Sequence, residues 1–343
     1  MGELPLLFGD VARWYAATTV ALGLRTGLTQ ALLGGGGTAA ELATASATDP
    51  ANAARWADAM VTAGYARLAD GRYDPEWDAL GALQGGAVLD VRAIVELLVP
   101  LGGMLPRVEA AIRDGGGIPS AEIQAALGAL PEEVNAPMYR QLLVEEWIAG
   151  HPELEAALRD GIDVAEIGPG GGEALRLLAA AFPSSRFTGV DLDPLQVRRA
   201  NDVAAALGLP NVAYVARDGA NLPATSFDLV CILDAFHHVT RPAALIEAVR
   251  AALRPGGSLL VAEAAVTGDA SVDAADPTAV IVYGSDLLYC FQESKTAATT
   301  GLGATWAGRD MARFLGEHGF REAARVESQA GYLVVRAVLD VTG

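Results

Sequence analysis

Residues 163–172 read Asp163-Val164-Ala165-Glu166-Ile167-Gly168-Pro169-Gly170-Gly171-Gly172, a short apolar run that passes straight into a proline- and glycine-rich turn. A helical pattern begins immediately afterwards. Glycines supply a turn without Cβ atoms, so the backbone can approach a ligand closely, beside a helix N-terminus whose free N–H groups favour negative charge. Outward from this turn, short β-branched runs alternate with amphipathic stretches. Strands are expected at 163–167, 186–190, 212–216, 227–233, 258–262, 320–326 and 332–339, with helices near 172–182, 194–207, 241–254 and 308–318. This alternation over 161–343 predicts an α/β domain, a mostly parallel sheet covered on both faces.

The glycine spacing narrows the ligand. A dinucleotide turn needs G-x-G-x-x-G, but counted from Gly168 its last glycine falls on Glu173. The G-x-G-x-G spacing of Gly168, Gly170 and Gly172 fits S-adenosylmethionine (SAM) instead. Asp191, in Val190-Asp191-Leu192-Asp193, stands at the end of the second strand, where a carboxylate can accept hydrogen bonds from ribose hydroxyls. Asp218, followed by Gly219, ends the third strand, where a carboxylate can accept from an adenine amino group. Each glycine alone reads equally as an ordinary turn and each Asp as a helix cap. Three such sites in order at three successive strand ends favour a ligand, because ligands bind at those carboxyl ends.

Over nearly all of 160–343 the sequence resembles the class I SAM-dependent methyltransferases. Glu166 to Gly172 resembles the first motif of that family, Val190 to Asp193 its ribose site, and Ala216-Arg217-Asp218-Gly219 its adenine site. Ser226 to Val230 resembles the fourth strand, and Leu253 to Leu260 the turn into the fifth. The resemblance implies a Rossmann-like seven-stranded sheet with the last strand antiparallel to the rest. It also implies a SAM cofactor held by Glu166, Gly168, Gly170, Gly172, Asp191, Leu192, Asp218, Gly219 and Asp234. The stretch DAMVTAGYARL at 58–68 and the segment around Tyr283 to Trp306 are similar to bacterial small-molecule methyltransferases with an N-terminal winged-helix region.

Asp234-Ala235-Phe236-His237-His238 follows the fourth strand. Histidine is the natural general base near neutral pH, so His237 and His238 are candidates to take a hydroxyl proton during methyl transfer. Either ring reads equally well as packing or as a cap for the following helix. An adjacent pair, with just His151 and His318 elsewhere, gives no reason to expect a metal. Glu263, ending the fifth strand, is a candidate to orient a polar group or act as a second base. Tyr283, Tyr289, Cys290, Phe291, Glu293 and Trp306 occupy the segment where class I enzymes carry a substrate lid. Tyr139 and Trp147 are candidates to close the pocket from the other side, although plain helix packing explains any one of them as well.

The front of the chain reads differently. Apolar residues at helical spacing over 5–32 predict one long helix. A short helix follows from Thr38, and another starts at the Asp49-Pro50 cap and ends at Gly64. A hairpin of 65–68 with 72–73 completes a winged-helix-like pattern. Residues 1–85 are expected to form this region and to dimerise, with 86–160 a helical linker or lid before the 161–343 domain. The third helix sets Arg55 against Asp49 and Asp58, and the formal net charge is −18. Both oppose nucleic-acid binding, and the charge also opposes anionic membrane surfaces. No apolar run reaches the ~18 residues of a membrane span. With no secretory pattern at the N-terminus, and with Cys231 and Cys290 inside apolar stretches, the expectation is a cytoplasmic protein without disulfides.

The expected function is O-methylation of a small molecule, possible in secondary metabolism, by a homodimer. N- or C-methylation, a non-methylating enzyme on the same fold and a SAM-sensing regulator are the alternatives.

Overall fold

A computed structural model describes residues 6–296, 298–299 and 301–339. The chain divides into two compact units, one from the residues up to Gly103 with Leu127–Pro137, the other from Met104–Ala126 with Met138 onward. Residues 86–160 are thus shared between the two units.

In the first unit, helices Leu6–Thr26, Leu28–Leu33, Ala39–Ser46 and Pro50–Thr62 precede an antiparallel ribbon of β1 (Ala66–Ala69) and β2 (Arg72–Pro75). The expected single first helix is broken at Gly27. That residue takes a left-handed φ of 80°, open to glycine at little cost, and the turn swings Leu28 and Leu32 into the core. Thr38 and Glu41 form a reciprocal capping box, and Asp49 caps Pro50–Thr62 by accepting from the Ala51 and Asn52 N–H groups. Val20, Leu24, Leu32, Leu42, Trp56 and Met60 make the core. Trp56 Nε1 donates to the Thr19 carbonyl at 2.9 Å, and Tyr73 Oη donates to Asp58 at 2.8 Å, so both buried polar tips are satisfied. Leu6, Leu7, Phe8, Val11, Trp14, Tyr15 and Leu22 stay exposed.

The second unit is built on seven strands: β3 (Asp163–Ile167), β4 (Arg186–Asp191), β5 (Val212–Ala216), β6 (Phe227–Leu233), β7 (Leu253–Ala264), β8 (Phe320–Ser328) and β9 (Tyr332–Leu339). Their order in the sheet is β5-β4-β3-β6-β7-β9-β8. β9 runs antiparallel to β7 and to β8, and the other neighbouring pairs are parallel. The expected architecture and strand positions are met. β7 runs longer than expected because Leu253 already pairs with Phe227 ahead of a bulge. Helices Glu173–Ala181, Pro194–Ala206, Pro242–Ala252 and Trp306–Glu317 alternate with the strands. Val230, Ile232, Leu245, Ile246, Val249, Leu259, Val261, Met311 and Leu315 fill one core. The strand order reverses between β3 and β6, and that reversal opens a crevice at their carboxyl ends.

Helix Leu130–Met138 continues into a π-helix at Tyr139–Ile148. The widening follows Pro137, whose missing N–H leaves the α-helical ladder one donor short. The wider turns send Tyr139 Oη to the Leu233 carbonyl at 3.3 Å and Trp147 Nε1 to Ser328 Oγ at 2.9 Å.

His151, next along the chain, is 1 % exposed, and neither ring nitrogen has a protein hydrogen-bond partner. Burial, and then the charge of Arg336, lower its pKa below the ordinary value of 6.5. The unfolded chain therefore binds the proton more readily than the folded one. The stability this site contributes is present above 6.5 and is lost as the pH falls toward the depressed folded value. A His151→Leu variant is expected to lose less Tm than wild type between about pH 7 and about pH 5 in scanning calorimetry. Equal losses in the two proteins would remove His151 from the acid response.

Candidate active site

The β3 turn and the β6 loop meet at the crevice. Gly168, Gly170 and Gly172 have φ of 70°, 51° and 77°, all in the left-handed region that disfavours side chains. A Cβ on Gly172 would stand 2.6 Å from the Tyr214 ring, and one on Gly168 would stand 3.0 Å from Ala235 of the β6 loop. The turn is therefore closed to side chains by conformation and by contact. It delivers the chain to Glu173, the first residue of its helix.

Glu166 ends up 2 % exposed, with its Oε2 lacking any hydrogen-bond partner. Burial, reinforced by the nearby Asp191 charge, raises its pKa to about 8. Asp191 accepts from Gly170 N at 3.2 Å and from Asp193 N at 2.8 Å, which ties the second strand end to the glycine turn. Burial raises its pKa too. Leu192 beside it is 74 % exposed. Asp218 caps the turn Gly219–Asn221 through the Ala220 N–H, and its other oxygen meets Arg241 at 3.2 Å. Gly219 is buried, and a Cβ there would come within 2.7 Å of Ile167. An unpartnered buried carboxyl beside a side-chain-free cradle suits a ligand that brings positive charge and a nucleoside. SAM is such a ligand. Glu166, the glycine turn and Asp191 would hold it.

The β6 loop begins at Asp234, which has a left-handed φ of 54°. Burial raises the Asp234 pKa, and the Glu263 charge adds to that. The following turn, Phe236–His238, sends its two histidines to different partners. His237, 3 % exposed, holds Nδ1 2.5 Å from Glu263 Oε2, while Glu263 Oε1 accepts from Phe236 N at 2.9 Å and His237 N at 3.3 Å. Burial opposes charge on this ring. The Glu263 carboxylate and a hydrogen bond with Cys290 outweigh it and hold the His237 pKa well above the ordinary value. A ring that keeps its proton cannot accept another.

His238 is more open. Its Nδ1 lies 2.9 Å from Glu293 Oε2, its side chain is 21 % exposed, and its ring packs on Tyr289 with centroids 4.9 Å apart. Asp234, His237 and Glu263 offer ligand atoms within 4.8 Å of one another, and so do His237, His238 and Cys290. Cys290 is a third donor that the adjacent histidine pair did not reveal in the sequence.

The expected substrate residues separate. Tyr139, Glu263 and Tyr289 gather around the β6 loop. Trp147 is fully buried against Tyr332, with ring centroids 5.8 Å apart, and Trp306 is 3 % exposed in the core against Phe236. Both are packing positions. Tyr283 donates to Asp273 at 2.7 Å. Asp286 and Tyr332 went unread in the sequence, as did the pairing of Glu293 with His238. Asp286 accepts from Ala304 N at 2.5 Å, and Tyr332 hydrogen-bonds with Asp234. The helical spacing of Asp286, Cys290 and Glu293 was the available signal. It was blurred by a π-helical turn at Asp286–Cys290 between α-helical segments Ala279–Ser285 and Phe291–Ser294.

Residues 164–257 match a family model described as "Methyltransferase domain". Among curated proteins, the chain is 32 % identical over 101 residues to the chloroplastic tocopherol O-methyltransferase of Arabidopsis thaliana, covering 29 % of each chain. It is 34 % identical over 109 residues to the 27-O-demethylrifamycin SV methyltransferase of Amycolatopsis mediterranei, covering 31 % of this chain and 40 % of the relative. The chain thus aligns with 29 % and 40 % of the length of these relatives. Among solved structures it is similar to NcsB1, an O-methyltransferase from neocarzinostatin biosynthesis in complex with SAM and 2-hydroxy-5-methyl naphthoic acid. That match has a TM-score of 0.70 at 16 % identity, with 99 % of this chain and 100 % of the other covered, and at that identity it shows the fold. The second unit therefore has the class I SAM-dependent methyltransferase fold, and the match to the methyltransferase-domain model covers its residues 164–257.

Proposed function

We propose that the protein transfers the methyl group of SAM to an oxygen of a small-molecule acceptor, in bacterial-type secondary metabolism. The observation that carries this reading is the half-buried His238, backed by Glu293, on the loop that abuts the glycine turn. When bound, SAM supplies an electrophilic methyl on a sulfonium, and its transfer leaves S-adenosylhomocysteine. Glu166 and Asp191 hold that cofactor. His238 takes the acceptor hydroxyl proton on Nε2, the ring nitrogen away from Glu293, whose Oε2 lies 2.9 Å from Nδ1. His237 and Glu263 hold the loop in place. Tyr139 of the π-helix Tyr139–Ile148 borders the β6 loop and would close the site from that side.

The N-terminal helix supports the homodimer. Leu7, Val11, Trp14 and Leu22 lie three to eight residues apart on Leu6–Thr26 and are 75 %, 44 %, 54 % and 55 % exposed, an apolar stripe that a second copy would cover. No helix among the described residues is long and apolar enough to cross a membrane. A cytoplasmic site of action accords with this and with free Cys231 and Cys290.

Five outcomes are expected. Acceptor screening should release S-adenosylhomocysteine stoichiometrically with product; cofactor binding without release would support a non-methylating enzyme instead. Asp191→Ala should weaken SAM binding about ten- to a hundredfold by calorimetry, the range expected for losing hydrogen bonds to a charged group.

Because Glu166 ionises at about 8 when folded and near 4.5 when unfolded, stability falls with rising pH between those values. Glu166→Gln should therefore raise the Tm of the ligand-free protein near the upper end of that window while weakening SAM binding. An unchanged Tm there would remove the burial cost assigned to Glu166.

His238→Ala should lower kcat by about a hundred- to ten-thousandfold with SAM affinity retained, whereas His237→Ala should act first on Tm. The reverse pattern would reassign the base. Light scattering should report a dimer that Trp14→Glu weakens, and a wild-type monomer would reject the dimer.

A further inference from the structure

Four acids surround His237 and His238, and the one cation among them, the protonated His237 ring, is already paired with Glu263. Asp234 and Glu263 stand with His237 in one cluster, Glu293 lies 2.9 Å from His238, and Asp286 interacts electrostatically with both rings. These four carboxylates come from three parts of the chain, the β6 loop, the end of β7 and the lid helix. Glu263 is fully buried, and the Glu293 side chain is 11 % exposed. Their contacts include His237, His238, Tyr332 and the N–H groups of Phe236, His237 and Ala304.

Arginines around the cofactor turn are engaged elsewhere. Arg140 and Arg176 pair with Glu173, and Arg241 pairs with Asp218. The phenols of Tyr139 and Tyr332 register the same field. Burial pushes both well above the ordinary tyrosine pKa, with Asp234 and Glu263 adding to the shift, so both remain neutral.

From this charge distribution we propose that the acceptor is uncharged or cationic, a neutral or ammonium-bearing phenol or alcohol, and that acids are excluded. The inference rests on the methyl-transfer reading and adds the acceptor class to it. A carboxylate brought beside His238 would meet Glu293 and Asp286 where little water screens them, and the nearby His237 cation is already engaged by Glu263. An ammonium or a neutral hydroxyl meets acceptors instead. The same field suits a sulfonium cofactor. The fold itself does not impose this preference, since NcsB1 was solved with a naphthoic acid. It belongs to Asp286 and Glu293 on this lid and to Asp234 and Glu263 on this sheet.

The test is calorimetric binding of dopamine and of dihydroxyphenylacetate to the protein saturated with S-adenosylhomocysteine. The two probes share a catechol and differ in the charge at the chain end. The amine should bind at least about tenfold more tightly, a difference of about 1.4 kcal/mol. Glu293→Gln and, separately, Asp286→Asn should bring the ratio toward unity with S-adenosylhomocysteine affinity unchanged, which also shows that each variant is folded.

Equal binding, tighter binding of the acid, or no binding of the amine overturns the proposal. So does acid binding that disappears in Lys295→Gln, since the chain's one lysine would then supply the missing cation. A protein that holds S-adenosylhomocysteine without preferring the amine loses the acceptor inference alone. One that fails to bind S-adenosylhomocysteine loses the methyl-transfer reading and this inference with it.

Discussion

Two buried carboxylates at the carboxyl ends of parallel strands set the terms for the site. Glu263 on β7 is fully buried and fully engaged, accepting from two backbone N–H groups and facing the His237 ring. Glu166 on β3 is as deeply buried but has one oxygen without a partner. Burying a charge is costly unless hydrogen bonds and opposite charge offset it. The first carboxylate meets that condition within the chain and serves as structure. The second does not, and its pKa climbs to about 8 until something positive arrives. One carboxylate thus anchors the β6 loop, and the other waits for a ligand.

The sheet was legible in the sequence because its signals are local. Seven β-branched runs stand where strands form, and the glycines at 168, 170 and 172 announce a turn that must exclude side chains. Asp191 was legible for the same reason, being a fixed step from the turn. The capping residues Thr38 and Asp49 marked helix starts through their own hydrogen bonds. Gly27 was misread because a lone glycine inside a helical pattern is tolerated as often as it breaks one.

Trp147 and Trp306 show the opposite limit. Large aromatics at lid positions read as pocket walls, but whether a ring faces a cavity or a core depends on residues far along the chain. Here those residues are Ser328 and Tyr332 for Trp147 and Phe236 for Trp306. Glu293 lies 55 positions after His238 in the chain, and the π-helical turn at Asp286–Cys290 shifts the phase by which its face could be read. The positions proposed to hold the cofactor were therefore readable as strand ends and turns, whereas the side-chain cluster around His238 was not. Strand ends hold the first in sequence order, and tertiary packing assembles the second.

The two adjacent histidines divide the work because they meet different carboxylates, although their ring centroids lie 4.0 Å apart. His237 faces Glu263 at the end of β7 and Cys290 of the turn Asp286–Cys290, which hold its proton and its place. His238 meets Glu293 and Tyr289 of the same 286–294 stretch. Loop and lid are therefore coupled through the candidate base itself. Any rebuilding of the lid to admit another acceptor would also rebuild the environment of His238. Acceptor range and basicity would have to change together, while Asp191 and the glycine turn could stay as they are. The 164–257 segment that matches the methyltransferase-domain model carries the glycine turn, Asp191 and both histidines, and Asp286 and Glu293 lie outside it.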